Sequence, residues 1–225
     1  IASGVSEINK LKPIQIEDLL GRDSVLPYQN LDYLGFYDKS ICVTGAGGSI
    51  GSELCRQICI LNPKKLIILD NSEPSLYKIN QEITRFNLKN TFFRSILGDV
   101  CDYNFLKKIF LEEKIDIVFH AAAYKHVPIV EKNPIAGIKN NFFSTFSIIN
   151  ACNDVGLEKF ILVSTDKAVR PSNVMGASKR LSELIVQAFS SSAKQNTKYA
   201  MVRFGNVLGS SGSVVPLFEK QINNG

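Results

Sequence analysis

The sequence predicts an α/β fold built as a doubly wound parallel sheet, and three observations predict it. From Ser40 onward, short β-branched runs alternate with longer amphipathic segments, the pattern of repeated βα units. Several of these runs are apolar at every position, as strands covered by helices on both faces must be. A glycine-rich turn, Thr44-Gly45-Ala46-Gly47-Gly48-Ser49-Ile50-Gly51, joins the first run to the first amphipathic segment.

Taken in order, residues 1–38 read as a polar lead-in with one short helical signal around Ile16 to Leu20, closed by Gly21. Strands are expected at Ser40–Thr44, Lys65–Leu69, Phe92–Leu97, Asp116–His120, Lys159–Ser164 and Tyr199–Phe204. Helices are expected near Ser49–Leu61, Ser75–Asn87, Tyr103–Glu113, Val130–Val155 and Val174–Ser191. Pro134 and Gly137 lie early in the fourth of these and predict a break there. Residues 39–225 are therefore expected to form one domain, with no internal repeat.

A chain of 225 residues can bury a substantial core, and 45% hydrophobic with 21% charged residues is an ordinary soluble composition. The net charge of +5 is spread among acids rather than run together, so nucleic acid is not an expected partner. An anionic small molecule suits that balance. Cys42, Cys55, Cys59, Cys101 and Cys152 form no CxxC pair and are odd in number, which predicts buried reduced thiols and a reducing compartment. With only His120 and His126 besides, no metal centre is expected. No stretch reaches the roughly 18 apolar residues that span a bilayer, and no secretory pattern opens the chain. The ends, Ile1 without a Met and Asn223-Asn224-Gly225, read as those of a piece of a longer protein.

The glycine turn reads as the phosphate cradle of a Rossmann dinucleotide-binding unit. Gly45 permits the tight turn, Gly47 or Gly48 lets backbone N–H groups approach a pyrophosphate, and Gly51 lets helix and strand pack closely. The helix opening at Ser49 and Ile50 offers unpaired N–H donors and a positive dipole end. Asp70 ends the second strand, placed to accept from adenosine ribose hydroxyls, with a helix N-cap as its other reading. No Arg or Lys follows it at once, which favours NAD, with NADP as the alternative. Asp99 and Val100 end the third strand and are expected at the adenine edge. Ala121, Ala122 and Ala123 are small enough for a cofactor to lie against their backbone, or for helix and sheet to pack closely.

The TGxxGxxG form of the turn resembles the extended short-chain dehydrogenase/reductase superfamily. The resemblance narrows with Leu19-Leu20-Gly21-Arg22, with His120-Ala121-Ala122-Ala123-Tyr124-Lys125-His126-Val127-Pro128, with Ser164-Thr165-Asp166-Lys167-Ala168 and with Arg203-Phe204-Gly205-Asn206-Val207-Leu208-Gly209-Ser210. Together these motifs, from about Ile14 onward, are similar to the UDP-N-acetylglucosamine 4,6-dehydratase group of polysaccharide-biosynthesis enzymes. Long members of that group carry N-terminal membrane helices. The resemblance thus implies a soluble catalytic fragment, attached in the full-length protein to the cytoplasmic face of the inner membrane. It also implies roughly another hundred residues of domain, so the C-terminal substrate part is largely missing. A homo-oligomer is expected.

The same resemblance implies a chemistry on a UDP-N-acetylhexosamine. Hydride leaves sugar C4 for the nicotinamide, and the ketone so formed acidifies the C5 proton. A base removes that proton while an acid protonates the departing C6 hydroxyl, and the hydride returns to C6. Asp166 and Lys167 end a strand at the carboxyl edge of the sheet, where open α/β sheets bind ligands. Matched to the family, Asp166 is the acid and Lys167 the base, each needing a shifted pKa. Thr165 matches the hydroxyl that orients the reacting sugar oxygen, and Lys179 the lysine that bonds the nicotinamide ribose. Met175 stands one helical turn before Lys179, where the superfamily places a proton-accepting tyrosine. It leaves the base for C4 oxidation open among Lys179, Asp166 and a relayed water, and Met175 itself also reads as core. Lys125 is expected beside the substrate or on the surface, His126 as structural. Asn206, Ser210 and Ser213 match positions that meet the nucleotide sugar. An epimerase of the same superfamily and a non-catalytic cofactor-sensing domain are the alternatives.

Overall fold

The computed structural model describes residues 35–86, 88–191, 197–207, 209–210, 218 and 221. The chain divides into two units, Tyr33–Gly205 and the pair of segments Ile1–Asp32 and Asn206–Gly225. The larger unit holds every strand described below. The helical signal at Ile16 to Leu20 lies outside the described residues.

In chain order the larger unit runs β1 (Ser40–Thr44), α1 (Ser49–Ile60), β2 (Lys65–Asp70), α2 (Glu73–Arg85), β3 (Phe92–Leu97), α3 (Tyr103–Glu113) and β4 (Ile117–His120). It continues with α4 (Val127–Lys132), α5 (Pro134–Ile138), a π-helical turn (Lys139–Phe143), α6 (Ser144–Val155) and β5 (Lys159–Thr165). A 3-10 turn (Asp166–Ala168), α7 (Val174–Ser191) and β6 (Lys198–Phe204) complete it. The six strands form one sheet in the order β3-β2-β1-β4-β5-β6, every pair parallel. The order reverses between β1 and β4, which opens a crevice at the carboxyl ends of the strands. This is the doubly wound fold that the alternation of runs predicts.

The period-2 geometry of a strand sorts its residues onto two cores. Ile41, Val43, Leu66 and Ile68 pack beneath α1 and α2 with Cys55, Ile58, Ile79 and Ile83. Their neighbours Cys42, Ile67 and Leu69 face the other way, toward Phe110 of α3 and Ile148 and Ile149 of α6. β1 is buried at all five positions for this reason. Cys42, Cys55, Cys59 and Cys152 are buried and Cys101 half-buried, all of them free thiols. Burial pushes the Cys42 thiol up to about 12, so it stays protonated and unreactive.

The stretch Val130–Val155 breaks at Pro134 as expected, but into three helices and a π-turn, the first of them beginning at Val127. Pro128 and Pro134 each sit in a first helical turn, where a missing N–H is tolerated, and Asn133 between them leaves the helical region with φ −134° and ψ 59°. For the same reason α2 begins at Glu73, two residues before expectation, with Pro74 in its first turn. α6 stops at Gly156, whose φ of +77° takes the left-handed cap that favours glycine.

Candidate active site

The glycine turn crosses the top of the crevice, and three of its glycines are required by contact. Gly45 has φ +66°, and a Cβ there would lie 2.5 Å from the Ala122 backbone nitrogen. A Cβ at Gly51 would lie 2.0 Å from the Gly45 carbonyl oxygen, so α1 can seat on the turn only as it stands. At Gly47 the obstacle is Ser75 of α2, whose Cβ would be 2.5 Å away. Room for helix α2, rather than room for a phosphate, is what demands glycine at 47. Gly48 has only one tight neighbour, the Gly45 carbonyl oxygen at 3.3 Å, and it faces the crevice.

Asp70 braces this turn. One carboxylate oxygen accepts from the Gly47 N–H at 2.8 Å and the other from the Ser72 N–H at 2.9 Å. The N-cap of α2 is Ser72, so the cap reading of Asp70 does not apply. The cleft is lined by Gly45, Gly48, Asp70, Val100 and Ala121–Ala123 together with Asn71, Ser75, Gly98, Tyr124 and Asn140. Gly47, Ser49, Ile50, Gly51 and Lys179 do not line it. Asp99 is not among the lining residues: its carboxylate accepts from the Cys101 N–H at 2.8 Å. Ser49 and Ile50 open α1, which has no side-chain cap and no acid in its first turn. A helix end left open to anions, a turn that only glycine can form and a carboxylate beside them fit a dinucleotide.

Behind the cleft wall lies a polar layer that the sequence reading missed. His120 is fully buried, with Nδ1 2.8 Å from Thr44 Oγ1 and Nε2 3.4 Å from Ser144 Oγ. Burial, with the Lys179 charge adding to it, pushes its pKa down to about 3, so it is neutral. Asn141 occupies the π-helical turn and is also fully buried. Its amide accepts from the Tyr124 N–H at 2.7 Å and donates to the Tyr124 carbonyl and Ser178 Oγ, each at 3.0 Å. Its own carbonyl accepts from Thr145 Oγ1 at 2.8 Å and Ser182 Oγ at 2.9 Å. Asn141 thus ties the cleft wall to α7. The available signal was the pair Asn140-Asn141 inside an otherwise apolar helical run.

β5 delivers the third group. Thr165 ends the strand and its Oγ1 donates to Asp166 Oδ1 at 2.9 Å while accepting from the Lys167 N–H at 3.3 Å. Lys167 Nζ lies 3.3 Å from the same Asp166 oxygen. The Thr165 hydroxyl, and then the Lys167 ammonium, hold the Asp166 carboxyl below its ordinary range. That direction is opposite to the one a resting acid needs, so Asp166 is an ionised acceptor in the ligand-free chain.

α7 packs on this turn. Met175 is buried and is a core side chain. Lys179 is also buried: its Nζ donates to the Val163 carbonyl at 2.8 Å, and burial pushes its pKa down to about 8. The Glu183 carboxylate, with no exposed surface, accepts from Ser164 Oγ at 2.7 Å, Arg203 Nε at 2.7 Å, Arg203 Nη2 at 2.6 Å and Arg180 Nη1 at 2.9 Å. These donors hold the Glu183 pKa down to about 2 against its burial. Lys125 is exposed beside Tyr124. Asn206 and Ser210 belong to the smaller unit, Asn206 exposed and Ser210 half-buried. Ser213 lies outside the described residues. Among the described residues no group of three metal-ligating side chains occurs, and no helix is long and apolar enough to cross a membrane.

Residues 41–225 match the family described as "Polysaccharide biosynthesis protein". The capsular polysaccharide biosynthesis protein CapD of Staphylococcus aureus is 44% identical over 225 residues, all of this chain and 37% of that protein. A UDP-N-acetylglucosamine 4,6-dehydratase (inverting) of Campylobacter jejuni is 38% identical over 197 residues, 84% of this chain and 55% of the relative. A UDP-glucose 4-epimerase of Rickettsia bellii is 36% identical over 191 residues, 83% of this chain and 54% of the relative. Among solved structures, Pen from Bacillus thuringiensis superposes with a TM-score of 0.76 at 36% identity, covering 84% of this chain and 58% of that one. The chain therefore spans between about a third and three fifths of the proteins it resembles.

Proposed function

The chain belongs to the polysaccharide biosynthesis protein family, and from that premise we propose that it is the catalytic part of a nucleotide-sugar 4,6-dehydratase. Its substrate would be UDP-N-acetylglucosamine or a similar UDP-N-acetylhexosamine, and its cofactor NAD. The observation that carries the reading is the Thr165-Asp166-Lys167 turn at the carboxyl end of β5, where one Asp166 oxygen accepts from both the Thr165 hydroxyl and the Lys167 amine. An elimination needs an acid and a base side by side, and a simple epimerisation does not.

On this reading the turn from Gly45 to Gly51 and the open end of α1 hold the pyrophosphate, and Asp70 meets the adenosine ribose. Bound NAD supplies the reversible redox change at the sugar. The chain's own residues move the protons. Asp166, ionised and bridged by Thr165, accepts the proton of the C4 hydroxyl, the task that Met175 cannot perform. Now protonated, Asp166 is the acid that C6 requires, and it passes the same proton to the departing hydroxyl, which leaves as water. Lys167, after giving its ammonium proton to solvent, takes the C5 proton and returns it once the double bond is reduced. The acid's proton thus comes from the substrate, which accounts for a resting pKa that is low rather than raised. In the full-length protein the site would work at the cytoplasmic face of the inner membrane, feeding surface-polysaccharide synthesis.

The test is to incubate the full-length protein with UDP-N-acetylglucosamine and follow the sugar by NMR. A dehydratase converts the C6 hydroxymethyl group to a methyl group and removes the C4 proton signal. Retention of the hydroxymethyl group with inversion at C4 would establish the epimerase reading, and an unchanged sugar the cofactor-sensing one.

A further inference from the structure

The Glu183 carboxylate is fully buried and takes no part in the proton transfers above. Its partners are not scattered. Ser164 and Arg203 are direct register partners across β5 and β6, and each lies within two residues of its strand's carboxyl end. Ser164 immediately precedes Thr165. On α7, Gly176, Lys179 and Glu183 are spaced three and four apart, so they share one face of the helix. Each touches the same short stretch of β5 and its turn. A Cβ on Gly176 would lie 2.4 Å from the Lys167 carbonyl oxygen, Lys179 donates to the Val163 carbonyl, and Glu183 accepts from Ser164. One helix face therefore grips residues 163, 164 and 167, and Glu183 carries that grip across to β6 through Arg203.

We propose that Glu183 is a positioning residue. By tying Ser164 and Arg203 to α7 it fixes the Thr165-Asp166-Lys167 turn at one spacing from Lys179, so that the acid and base meet the sugar in register. The inference rests on the dehydratase reading for its catalytic consequence. Its physical basis is that the Glu183 carboxylate has no exposed surface. Moving it away from Ser164, Arg180 and Arg203 would leave a buried charge unpaired, although the two arginines are themselves more than a third exposed. The cluster sits at the strand ends beside the reacting groups and not in the middle of the sheet. A shift of about 1 Å there costs about 100-fold in rate.

The experiment uses the full-length protein with Ser164→Ala, which removes one donor and leaves the charges paired, and Glu183→Gln, which keeps the shape and removes the charge. Four quantities are read: kcat and KM for UDP-N-acetylglucosamine, the affinity for NAD, and amide hydrogen exchange over residues 165–168. For Ser164→Ala we expect kcat to fall about 10-fold, with KM and NAD affinity within about twofold of wild type, and exchange in the turn to rise about 10-fold. Ser164→Thr restores the hydroxyl and should restore both. Glu183→Gln should show the larger effect in the same direction. Unchanged kcat and exchange in a folded variant would overturn the proposal. So would a kcat loss matched by an equal loss of NAD affinity, which is general loosening. If the wild-type protein turns over no nucleotide sugar, the dehydratase reading fails, and exchange in the turn then decides the positioning alone. A rise upholds it and no change overturns it.

Discussion

Gly176 lies against the carbonyl of Lys167 so closely that a single added methyl group would stand 2.4 Å from that oxygen. The contact is backbone to backbone, between the first turn of α7 and the 3-10 turn that carries Asp166. Neither side has a flexible group that could move aside.

Gly176→Ala should therefore displace one of the two segments. Overpacking of this kind costs about 1–3 kcal/mol. Thermal unfolding should show a Tm lower by several degrees, and turnover should fall by more than the stability loss accounts for, because the displaced segment carries Asp166 and Lys167. A variant with wild-type Tm and turnover would mean that the turn is not seated on the helix.

Lys167→Ala should abolish water loss from the sugar while leaving NAD affinity within about twofold, since the side chain bonds Asp166 rather than the glycine turn. Asp166→Asn should be as inactive, because an amide neither takes the C4 hydroxyl proton nor returns one to C6. NMR of the sugar and calorimetric titration with NAD read the two effects separately. Wild-type turnover in either variant would remove that residue from the mechanism.

Asp70→Asn replaces one acceptor oxygen by an NH2 group that cannot accept from the Gly47 or Ser72 N–H. A lost hydrogen bond to a charged group is worth about 1.5–3 kcal/mol. NAD affinity should drop at least 10-fold, and amide exchange at residues 45–48 should accelerate. Tight NAD binding with a protected turn would show that the brace is dispensable.

Lys179 carries a stability signature in alkaline solution. Its pKa is about 8 in the folded chain against 10.5 ordinarily, so between those values the unfolded chain binds more protons and stability rises with pH. The cost of the buried ammonium is fully present below pH 8 and is relieved toward pH 10.5, a span of about 3 kcal/mol. Buried thiols act in the opposite direction, since Cys42 stays protonated to about 12 and Cys59 to about 11. Lys179→Met keeps those thiols and removes the amine. Its stability relative to wild type, from urea unfolding at pH 7.5 and pH 10.5, should decline by about 3 kcal/mol across the interval. A constant difference would place the ammonium in solvent.

Much of the architecture was readable along the chain. All six strands and the start of four of the five expected helices fall within two residues of expectation, because each is announced by periodicity, a glycine or a proline within a few positions. α4 to α6 were harder. Pro134 announces the break after Asn133, but the start at Val127 and the π-turn at Asn141 carry no such mark.

The site divides along the same line. From the residues themselves came the glycine turn and the placement of Asp70 and of Asp166-Lys167 at strand ends, signals of neighbouring residues that constrain local backbone directly. The roles at Thr165-Asp166-Lys167 and the missing tyrosine at Met175 came from the family resemblance. Tertiary packing decided what those residues touch. It gave Gly47 to Ser75 of α2, turned Asp70 onto the loop amides, and joined Asn141 to Tyr124 and Ser178, 17 and 37 residues away. It also made Glu183 the common partner of Ser164 and Arg203. A carboxylate's residue type does not name its donors; they are chosen when helix and sheet close on one another and every buried polar group must find a partner.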